Sequence, residues 1–587
     1  MSKYYSDEKN VQIIVALLKK HGIRKVIASP GSANSPLVAS LQHDSYFEIY
    51  SSVDERSAAY IACGLAAESK EPVVISSTGA TASRNYMPGL TEAYYRKLPI
   101  LAITSTRNVA LIGSLTDQVI DRSIIPNDIA QISVTLPIIK DENDIWECEI
   151  KVNSAILALT RHGGGPAHIN LPTNYLGTYN TIELPFVRII KRITENDEFP
   201  IIPNNEKIAV FVGSHKFFDK KLTNALEFFC ETHNAVVLCD HTSNYYGKYK
   251  ILLPIIAYQS IFQEDLKIGL LIHIGEISSI SGYLMNRMKS VWRLSEDGEI
   301  RDTFRKLEYV FEMPEEHFFN KYTTEHKKNH QIDLSYFDAW NKKEKELSEK
   351  IPNLPFSNIW IAQEIAYRIP KHSTIHFAIL NSLRSWNFFS LPESVISNSN
   401  VGGFGIDGSL SSIIGASLTN KTKLFYCVIG DLAFFYDMNA LGNRHIGNNL
   451  RLLIINNGKG TEFRLFLHRK GTAQFEEKAD KYISAAGHFG NKSRTLLRNY
   501  AEDLNFTYMT AANKDEFAKV IDKFVNPNIQ EKSIIFEVFT DSVDENTAIE
   551  ELTNLELPPT SFKMKMKQKT KDVLGEKNIN LLKRIIK

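Results

Sequence analysis

The segments KLFYCVIGD, residues 423–431, and LRLLIINN, residues 450–457, are apolar runs that each end in polar residues. Uninterrupted apolar runs of this length predict strands of a parallel sheet that is buried on both faces. Ligands of such sheets collect at the carboxyl ends of the strands. Gly430, Asp431 and Asn457 stand at those ends and are therefore candidate ligand-binding residues.

Oxygen donors at these positions suit a hard cation such as Mg²⁺. Asp431 and Asn457 offer side-chain oxygens, and the backbone carbonyl of Lys459 offers a third. Mg²⁺ keeps its remaining positions for water and phosphate oxygens, so a diphosphate is its natural partner. A helix predicted just after Asp431 adds the backbone N–H groups of Leu432 and Ala433. Each polar pair alone is also typical of a turn.

Around these segments, short apolar strands alternate with helices along the whole chain. This alternation predicts an α/β fold with three doubly wound parallel-sheet domains. Asn10 is the predicted N-cap of the first helix. The predicted strands are residues 25–29, 46–53, 72–76, 98–104, 208–212, 235–238, 270–274, 423–429, 450–455 and 534–540.

Proline-containing stretches divide the chain. Residues 184–205 predict a linker, and a second boundary lies near Pro352–Pro355. The last predicted segment is a basic tail. It either offers a surface to an anionic partner or forms a solvated end. The predicted domains are residues 1–184, 206–350 and 356–560, followed by the tail, residues 561–587.

The composition is that of an ordinary globular protein and excludes several classes. The formal net charge of the 587 residues is +1, so the chain as a whole has no electrostatic attraction to nucleic acid or a membrane. The five cysteines form no CxxC pair, which argues against a thiolate metal site or a disulfide framework. Residues 2–10 are polar rather than signal-like, and no apolar run predicts a membrane span. A cytoplasmic protein is expected.

The pairs Gly430-Asp431 and Asn456-Asn457 are separated by 24 residues. This pattern resembles the thiamine-diphosphate motif of the decarboxylase and carboligase superfamily. The resemblance implies pyrimidine-binding, central and diphosphate-binding domains, in that order. It also implies a cofactor bound between two subunits, and hence a homodimer or a dimer of dimers. Thiamine diphosphate and Mg²⁺ are the expected cofactors.

The superfamily has a glutamate between a strand and a helix of its first domain, and Glu55 in VDER, residues 53–56, matches that position. A carboxyl group that binds the pyrimidine ring nitrogen promotes the imino form of the cofactor, so Glu55 is the predicted activating residue. The alternative is an acid in the first turn of a helix, where it faces the positive end of the dipole.

Longer motifs include residues 53–66, 405–409 and 430–441. They resemble one branch, the menaquinone-pathway 2-succinyl-5-enolpyruvyl-6-hydroxy-3-cyclohexene-1-carboxylate synthases. This resemblance implies that Arg107 and Gln118 face the reacting carbon, although Arg107 has an alternative role in a loop salt bridge. It further implies that Ile406 supports the bent cofactor and that Asn381 and Ser382 lie near the diphosphate. The matching motifs are residues 29–32, 35–37, 53–66, 78–85, 106–107, 117–121, 381–383, 405–409 and 430–441.

The sequence departs from that family at four positions where the family has a basic residue. These synthases join 2-oxoglutarate to isochorismate, and both anions need basic partners when they leave water. The departures predict different substrates. The four residues are Ala33, Tyr283, Trp386 and Val401.

Two of the four replacements are aromatic, and such rings would suit a sugar or another less charged acceptor. Three basic residues near the matching positions offer compensation for the lost positive charges: Arg84, Lys459 and Arg384. Arg384 is placed to swing toward residue 386.

The expected function is that of a thiamine-diphosphate-dependent carboligase. It would decarboxylate a 2-oxo acid and add the resulting enamine to an acceptor, as a C–C bond forming transferase similar to the menaquinone-pathway synthases. Two alternatives stay open: a 2-oxo acid decarboxylase or sugar-modifying carboligase on this scaffold, and a non-catalytic scaffold without cofactor. No Gly-x-Gly-x-x-Gly follows residues 208–212, so neither flavin nor nicotinamide is expected.

Overall fold

Three sheets of parallel strands, flanked by helices, make up the computed structural model of the chain. This architecture confirms the predicted α/β class with three parallel-sheet domains. The structure describes residues 4–122, 124–203, 206–323, 333–465, 467, 475, 478–487 and 493–557, and the basic tail lies outside them. Its residues form two compact units, one holding the chain up to Pro200 with Trp292–Met313 and the other holding the rest.

The first sheet has the strand order β2-β1-β3-β4-β6-β5. Its strands are β1 (Lys25–Ala28), β2 (Glu48–Ser51), β3 (Val73–Thr78), β4 (Ile100–Thr106), β5 (Ser133–Thr135) and β6 (Ala167–Pro172). Its helices are α1 (Lys9–Lys20), α2 (Ser35–Gln42), α3 (Glu55–Ser69), α4 (Ala82–Asn85), α5 (Met87–Tyr95) and α6 (Glu142–Ala158).

Successive residues of the first sheet belong to different apolar cores, because side chains alternate between the two faces of a strand. Val26 and Val74 pack in a cluster with α1, α2 and α6. Ile27 and Val73 pack in another cluster with α3 and α5. Helices therefore cover both faces of this sheet, as a doubly wound fold requires.

The described residues in the middle of the chain add seven strands and four α-helices. Among them, β8 to β11 pair in the order β10-β9-β8-β11, and β7 pairs in parallel with β13. The strands are β7 (Lys191–Thr194), β8 (Ile208–Val212), β9 (Ala235–Cys239), β10 (Lys250–Leu252), β11 (Ile268–Ile274), β12 (Met288–Ser295) and β13 (Leu307–Glu312). The helices are α7 (Lys220–His233), α8 (Pro254–Ala257), α9 (Glu315–Thr323) and α10 (Ser335–Glu349).

The third sheet has the order β15-β14-β16-β17-β19-β18. Its strands are β14 (Thr374–Phe377), β15 (Ile396–Ser399), β16 (Phe425–Gly430), β17 (Leu450–Asn456), β18 (Thr507–Ala511) and β19 (Ile534–Phe539). Its helices are α11 (Asn358–Ile365), α12 (Asn381–Trp386), α13 (Ser409–Ser417), α14 (Asp431–Asp437), α15 (Lys478–Tyr482), α16 (Leu496–Asp503), α17 (Lys514–Phe524) and α18 (Ser542–Leu552).

Two local predictions are wrong. The proposed linker, residues 184–205, contains the strand β7, whose four residues lie between the prolines and pair with β13. Asn10 does not cap α1, because the helix begins one residue earlier at Lys9. The buried Asn10 amide instead donates to the carbonyls of Pro137 and Pro172, which ties α1 to distant loops.

The described residues include no helix long and apolar enough to cross a membrane. All five cysteines are buried free thiols.

Candidate active site

Glu55 is the first residue of α3, directly after its N-cap Asp54. The Asp54 carboxylate accepts hydrogen bonds from the Arg56 N–H at 3.1 Å and the Ser57 hydroxyl at 2.7 Å, so Asp54 caps the helix. The Glu55 side chain is half-buried, and its Oε2 accepts from the Asn85 amide on α4 at 3.2 Å. The helix start and Asn85 together orient this carboxylate.

Arg107 follows β4 and reaches across a loop to Asp117, with Nη1 3.3 Å from Oδ1. Its guanidinium also lies 5.6 Å from the centroid of the Tyr175 ring. Gln118, next to Asp117, is exposed and has a left-handed backbone with φ of +58°. The structure therefore places Arg107 and Gln118 on one loop, and Arg107 forms the salt bridge that was its alternative role.

Asp431 and Asn457 end the neighbouring strands β16 and β17, which pair in parallel with Gly430 opposite Ile455. Asp431 is buried, and its Oδ2 accepts from the Gly458 N–H at 3.1 Å. Burial raises the pKa of Asp431 to about 7, against the effect of the surrounding backbone N–H groups. Gly458 has φ of +77°, a conformation that favours glycine and turns the chain back toward Asp431.

The oxygens at this edge fit a hard cation. Asn457 Oδ1 is buried and has no hydrogen-bond partner, although buried amide oxygens nearly always have one. Such an oxygen beside the buried Asp431 carboxylate suits Mg²⁺. The Lys459 carbonyl accepts from the Thr461 N–H at 2.9 Å and, over a longer 3.5 Å, from the Thr461 hydroxyl. Among the described residues no three His, Cys, Asp or Glu side chains cluster, so amide, carbonyl and water oxygens would complete the shell.

Two helices begin at this same edge, after the paired strands β14 and β16. α14 begins at Asp431 and ends at Asp437, and Met438–Gly442 continues it as a 3-10 helix. α12 begins at Asn381 after Leu380, whose φ of +63° is strained for a branched side chain. Both helix starts present backbone N–H groups suited to phosphate.

Two further features border this edge. A Cβ on Gly430 would meet no described atom within 4 Å, so the end of β16 borders open space. Ile406 is half-buried just before α13 and packs against the apolar cluster of β16 and β17. The structure thus assembles the residues predicted for the diphosphate-binding domain at one edge of one sheet.

Trp386 is fully buried, and its ring centroid lies 5.5 Å from that of Phe377. Its indole N–H donates to Asn358 Oδ1 at 3.2 Å. The expectation that this ring stacks on a substrate is therefore wrong, because Trp386 belongs to the core. Ala33 and Val401 are likewise buried. Partly exposed Tyr283 stacks near Tyr258, with ring centroids 4.1 Å apart.

Arg384 does not swing toward residue 386, because it forms a bidentate pair with Glu462. Nη1 and Nη2 lie 2.6 and 2.7 Å from the two carboxylate oxygens, and Nε donates to the Tyr258 hydroxyl at 3.2 Å. Glu462 was missed in the sequence, where its only signal is an acid five residues after Asn457. This pair neutralises the charge that Arg384 was expected to offer a substrate.

The other two basic residues expected to compensate for the lost charges also have partners. Lys459 Nζ lies 2.8 Å from Asp480 Oδ2, and Arg84 donates to the Asp121 carbonyl at 3.0 Å. Arg84 is exposed and has only a neutral acceptor in this bond. Of the three proposed compensating charges, two are therefore bound to carboxylates of the protein itself.

Comparison with known proteins identifies the family of the chain. A family model described as "Thiamine pyrophosphate enzyme, N-terminal TPP binding domain" matches residues 9–130. The 2-succinyl-5-enolpyruvyl-6-hydroxy-3-cyclohexene-1-carboxylate synthase of Phocaeicola vulgatus is 32% identical over 574 residues, 93% of this chain and 98% of that protein. A synthase of the same name from Bacteroides fragilis is 32% identical over 91% of this chain and 97% of its own length. One from Flavobacterium psychrophilum is 28% identical over 90% and 95%.

This fold and these relatives define a class of enzyme, one that depends on thiamine diphosphate and forms carbon–carbon bonds. The identity extends over nearly the full length of both chains. The chain belongs to the family of the 2-succinyl-5-enolpyruvyl-6-hydroxy-3-cyclohexene-1-carboxylate synthases. This result confirms the resemblance carried by the sequence motifs.

Proposed function

We propose that this enzyme removes carbon dioxide from a 2-oxo acid and joins the remaining carbon unit to an acceptor, with thiamine diphosphate and Mg²⁺ bound. The observation that carries the proposal is the pair Asp431 and Asn457, which ends two neighbouring strands and includes a buried amide oxygen without a partner. When bound, thiamine diphosphate supplies a nucleophilic carbon and accepts the electrons that decarboxylation releases.

The proposed Mg²⁺ ligands are the Asp431 carboxylate, the Asn457 amide oxygen and the Lys459 carbonyl. A cation there gives the buried Asp431 carboxylate a counter-ion and gives Asn457 Oδ1 a partner. Both changes relieve the cost of polar groups removed from water. The remaining positions of an octahedral shell accept water and phosphate oxygens.

The diphosphate is held between two helix starts in this proposal. Gly430 leaves room at the strand end, and Leu432 and Ala433 donate backbone N–H groups. Asn381 and Ser382 approach from the start of α12. Donors at helix starts favour negative charge because the helix dipole is positive there. Ile406 supports the body of the cofactor through its contact with the apolar core.

Glu55 is the proposed activating residue. Its carboxyl holds a proton toward the pyrimidine ring nitrogen of the cofactor, and the bond from Asn85 fixes its orientation. Arg107 and Gln118 are proposed to contact the reacting groups, with Asp117 holding the Arg107 guanidinium in place. The proposed assembly is a homodimer or a dimer of dimers, as the superfamily resemblance implies.

The proposed substrates carry less negative charge than the two anions implied by the family resemblance. Ala33 and Val401 are buried and uncharged, and Trp386 lies in the core. Arg384 is neutralised by Glu462, so it offers no charge to a substrate. Leaving buried substrate carboxylates without partners would cost several kcal/mol each. A sugar-modifying carboligase stays the second candidate, supported by the Tyr283 and Tyr258 rings.

Carbon dioxide release from a panel of 2-oxo acids, starting with 2-oxoglutarate and pyruvate, tests the proposal. We expect release that requires thiamine diphosphate and Mg²⁺ and that falls about 10²–10⁴-fold in Glu55→Gln. Glu68→Gln, an exposed acid on the same helix α3, is the matched control and should retain wild-type activity.

Addition of acceptors separates the candidates. A carboligase forms a joined product only with its acceptor, whereas a decarboxylase releases carbon dioxide at the same rate without one. Absence of cofactor-dependent release across the panel would contradict the proposed function and favour a non-catalytic scaffold. Full activity in Glu55→Gln would contradict the activating role proposed for Glu55.

A further inference from the structure

A cavity of about 260 Å³ lies in the pyrimidine-binding domain, at the ends of β4 and β5. Aliphatic side chains that include Val109 and Ile120 form its walls, and polar groups that include Thr106 and Asn170 line the rest. Since a water occupies about 30 Å³ of the liquid, the cavity has room for a small organic molecule. Thr106 and Val119, both lining residues, adjoin Arg107 and Gln118 in the chain.

Arg122 also lines this cavity and is only 5% exposed. Its Nη1 donates to the Gly79 carbonyl at 2.5 Å, and its Nη2 donates to Asn170 Oδ1. Its Nε is buried without a hydrogen-bond partner. Both acceptors are neutral. Within the part of the chain that the structure describes, no carboxylate forms an ion pair with Arg122.

The guanidinium stays charged at neutral pH. Burial lowers the pKa of Arg122 to about 10, which is still above physiological pH. His168 is neutral and adds no second positive charge, because burial, and then the nearby Arg122, lowers its pKa to about 3. Its ring nitrogens bond instead to the hydroxyls of Thr104 and Ser133, each at 2.7 Å. The domain therefore buries a cation without an anion of its own.

The surrounding structure makes room for this cation. A Cβ on Gly79 would lie 2.2 Å from Arg122 Nη1, so only glycine at the end of β3 accommodates the guanidinium. The two hydrogen bonds fix the plane of the group, and three of its five N–H donors remain for another acceptor. A fixed planar fork of this kind matches the geometry of a carboxylate.

We propose that Arg122 binds a carboxylate of the small-molecule substrate in this cavity, with the aliphatic walls contacting the hydrocarbon part of that acid. This inference rests on the proposed function, because the cavity adjoins the loop that carries Arg107 and Gln118. It makes Arg122 a specificity-determining residue for an acidic substrate. It also explains how a pocket in which four basic residues of the family are replaced still binds an acid.

Calorimetry with the cofactor-loaded enzyme tests this assignment, using pentanoate as the probe and pentanamide as its uncharged analogue. We expect the wild type to bind pentanoate at least about tenfold more tightly than pentanamide, as a hydrogen bond to a charged group implies. In Arg122→Gln that preference should vanish. Arg96→Gln, which removes an exposed charge on the same domain, should keep it.

A second variant covers the case in which Arg122→Gln does not fold. Ile112→Trp fills the cavity from a side chain that is 38% exposed and leaves the bonds of Arg122 in place, so pentanoate binding should be lost. Equal affinity of the wild type for both probes, or pentanoate binding unchanged in the variants, would overturn the proposal and leave Arg122 a structural tie.

The outcome is separable from that of the proposed function. If Arg122→Gln loses pentanoate but the wild type releases no carbon dioxide from any 2-oxo acid, the carboxylate site stands and the proposed reaction fails. If carbon dioxide is released and the two probes bind alike, the reaction stands and the assignment of Arg122 fails.

Discussion

Arg384 and Glu462 show how one buried ion pair changes the chemistry expected of a pocket. Their side chains are 11% and 8% exposed, and two short hydrogen bonds join them. An intact buried pair contributes little net stability, because desolvation offsets the attraction between the charges. Breaking such a pair is costly, because one charge is left without a partner. The pair therefore locks Arg384 in place.

Glu462→Gln should lower the free energy of unfolding by about 3–5 kcal/mol, because the buried Arg384 loses its counter-ion. Urea denaturation of the cofactor-free protein measures this change. The double variant Arg384→Met, Glu462→Leu should stay close to wild type, since it removes both charges. A loss below about 1 kcal/mol in Glu462→Gln would show that Arg384 is solvated rather than paired.

Local sequence patterns revealed some of the site residues but not others. Asp431, Asn457 and Glu55 stand next to strand or helix ends, so short motifs expose them. The pairing of Arg384 with Glu462 joins residues 78 positions apart, and the contact of Arg122 with Asn170 joins residues 48 apart. Such contacts depend on the tertiary fold, and no local pattern marks them.

At the scale of elements, buried strands were predicted from the sequence, whereas an exposed edge strand was not. β16 and β17 are buried on both faces, so they are almost wholly apolar apart from the buried Arg451, and their predicted bounds agree within two residues. β7, an edge strand of sequence KRIT, carries two charged side chains and lies among prolines. Its strand character comes from pairing with β13, a contact that its own sequence does not encode.

Helix α10 carries a half-buried acid, Glu344, that makes stability depend on pH. Glu344 Oε1 accepts from the Leu252 N–H at 3.1 Å, and burial raises the pKa of Glu344 from 4.5 to about 7. Because the folded value is the higher one, this carboxyl contributes most to stability below about pH 4.5. That contribution is lost as the pH rises to about 7.

Glu344→Gln should therefore gain stability relative to wild type between pH 4.5 and about 7, by at most about 3 kcal/mol, and stay level above that window. Denaturation at a series of pH values measures the difference. Glu346→Gln on the same helix, whose side chain is 44% exposed, is the matched control. A flat difference for Glu344→Gln would contradict the assigned cause.

At the scale of the molecule, three repeats of one folding pattern explain why the fold class followed from the sequence. Each parallel sheet buries apolar strands between helices, and each repeat shows the same alternation. The sites lie at carboxyl ends of strands, as in other open parallel sheets. Domain bounds, assembly and substrate stay predictions, because they depend on partners and ligands rather than on the strand pattern of one chain.

The central claim is that the ends of β16 and β17 hold thiamine diphosphate through a bound cation. Calorimetric titration of thiamine diphosphate, with and without Mg²⁺, tests it most directly. The wild type should bind the cofactor only when Mg²⁺ is present, and Asn457→Ala should weaken binding at least about 10–100-fold, while the exposed Asn499→Ala stays unchanged. Binding that ignores Mg²⁺, or equal affinity in Asn457→Ala, would contradict the claim.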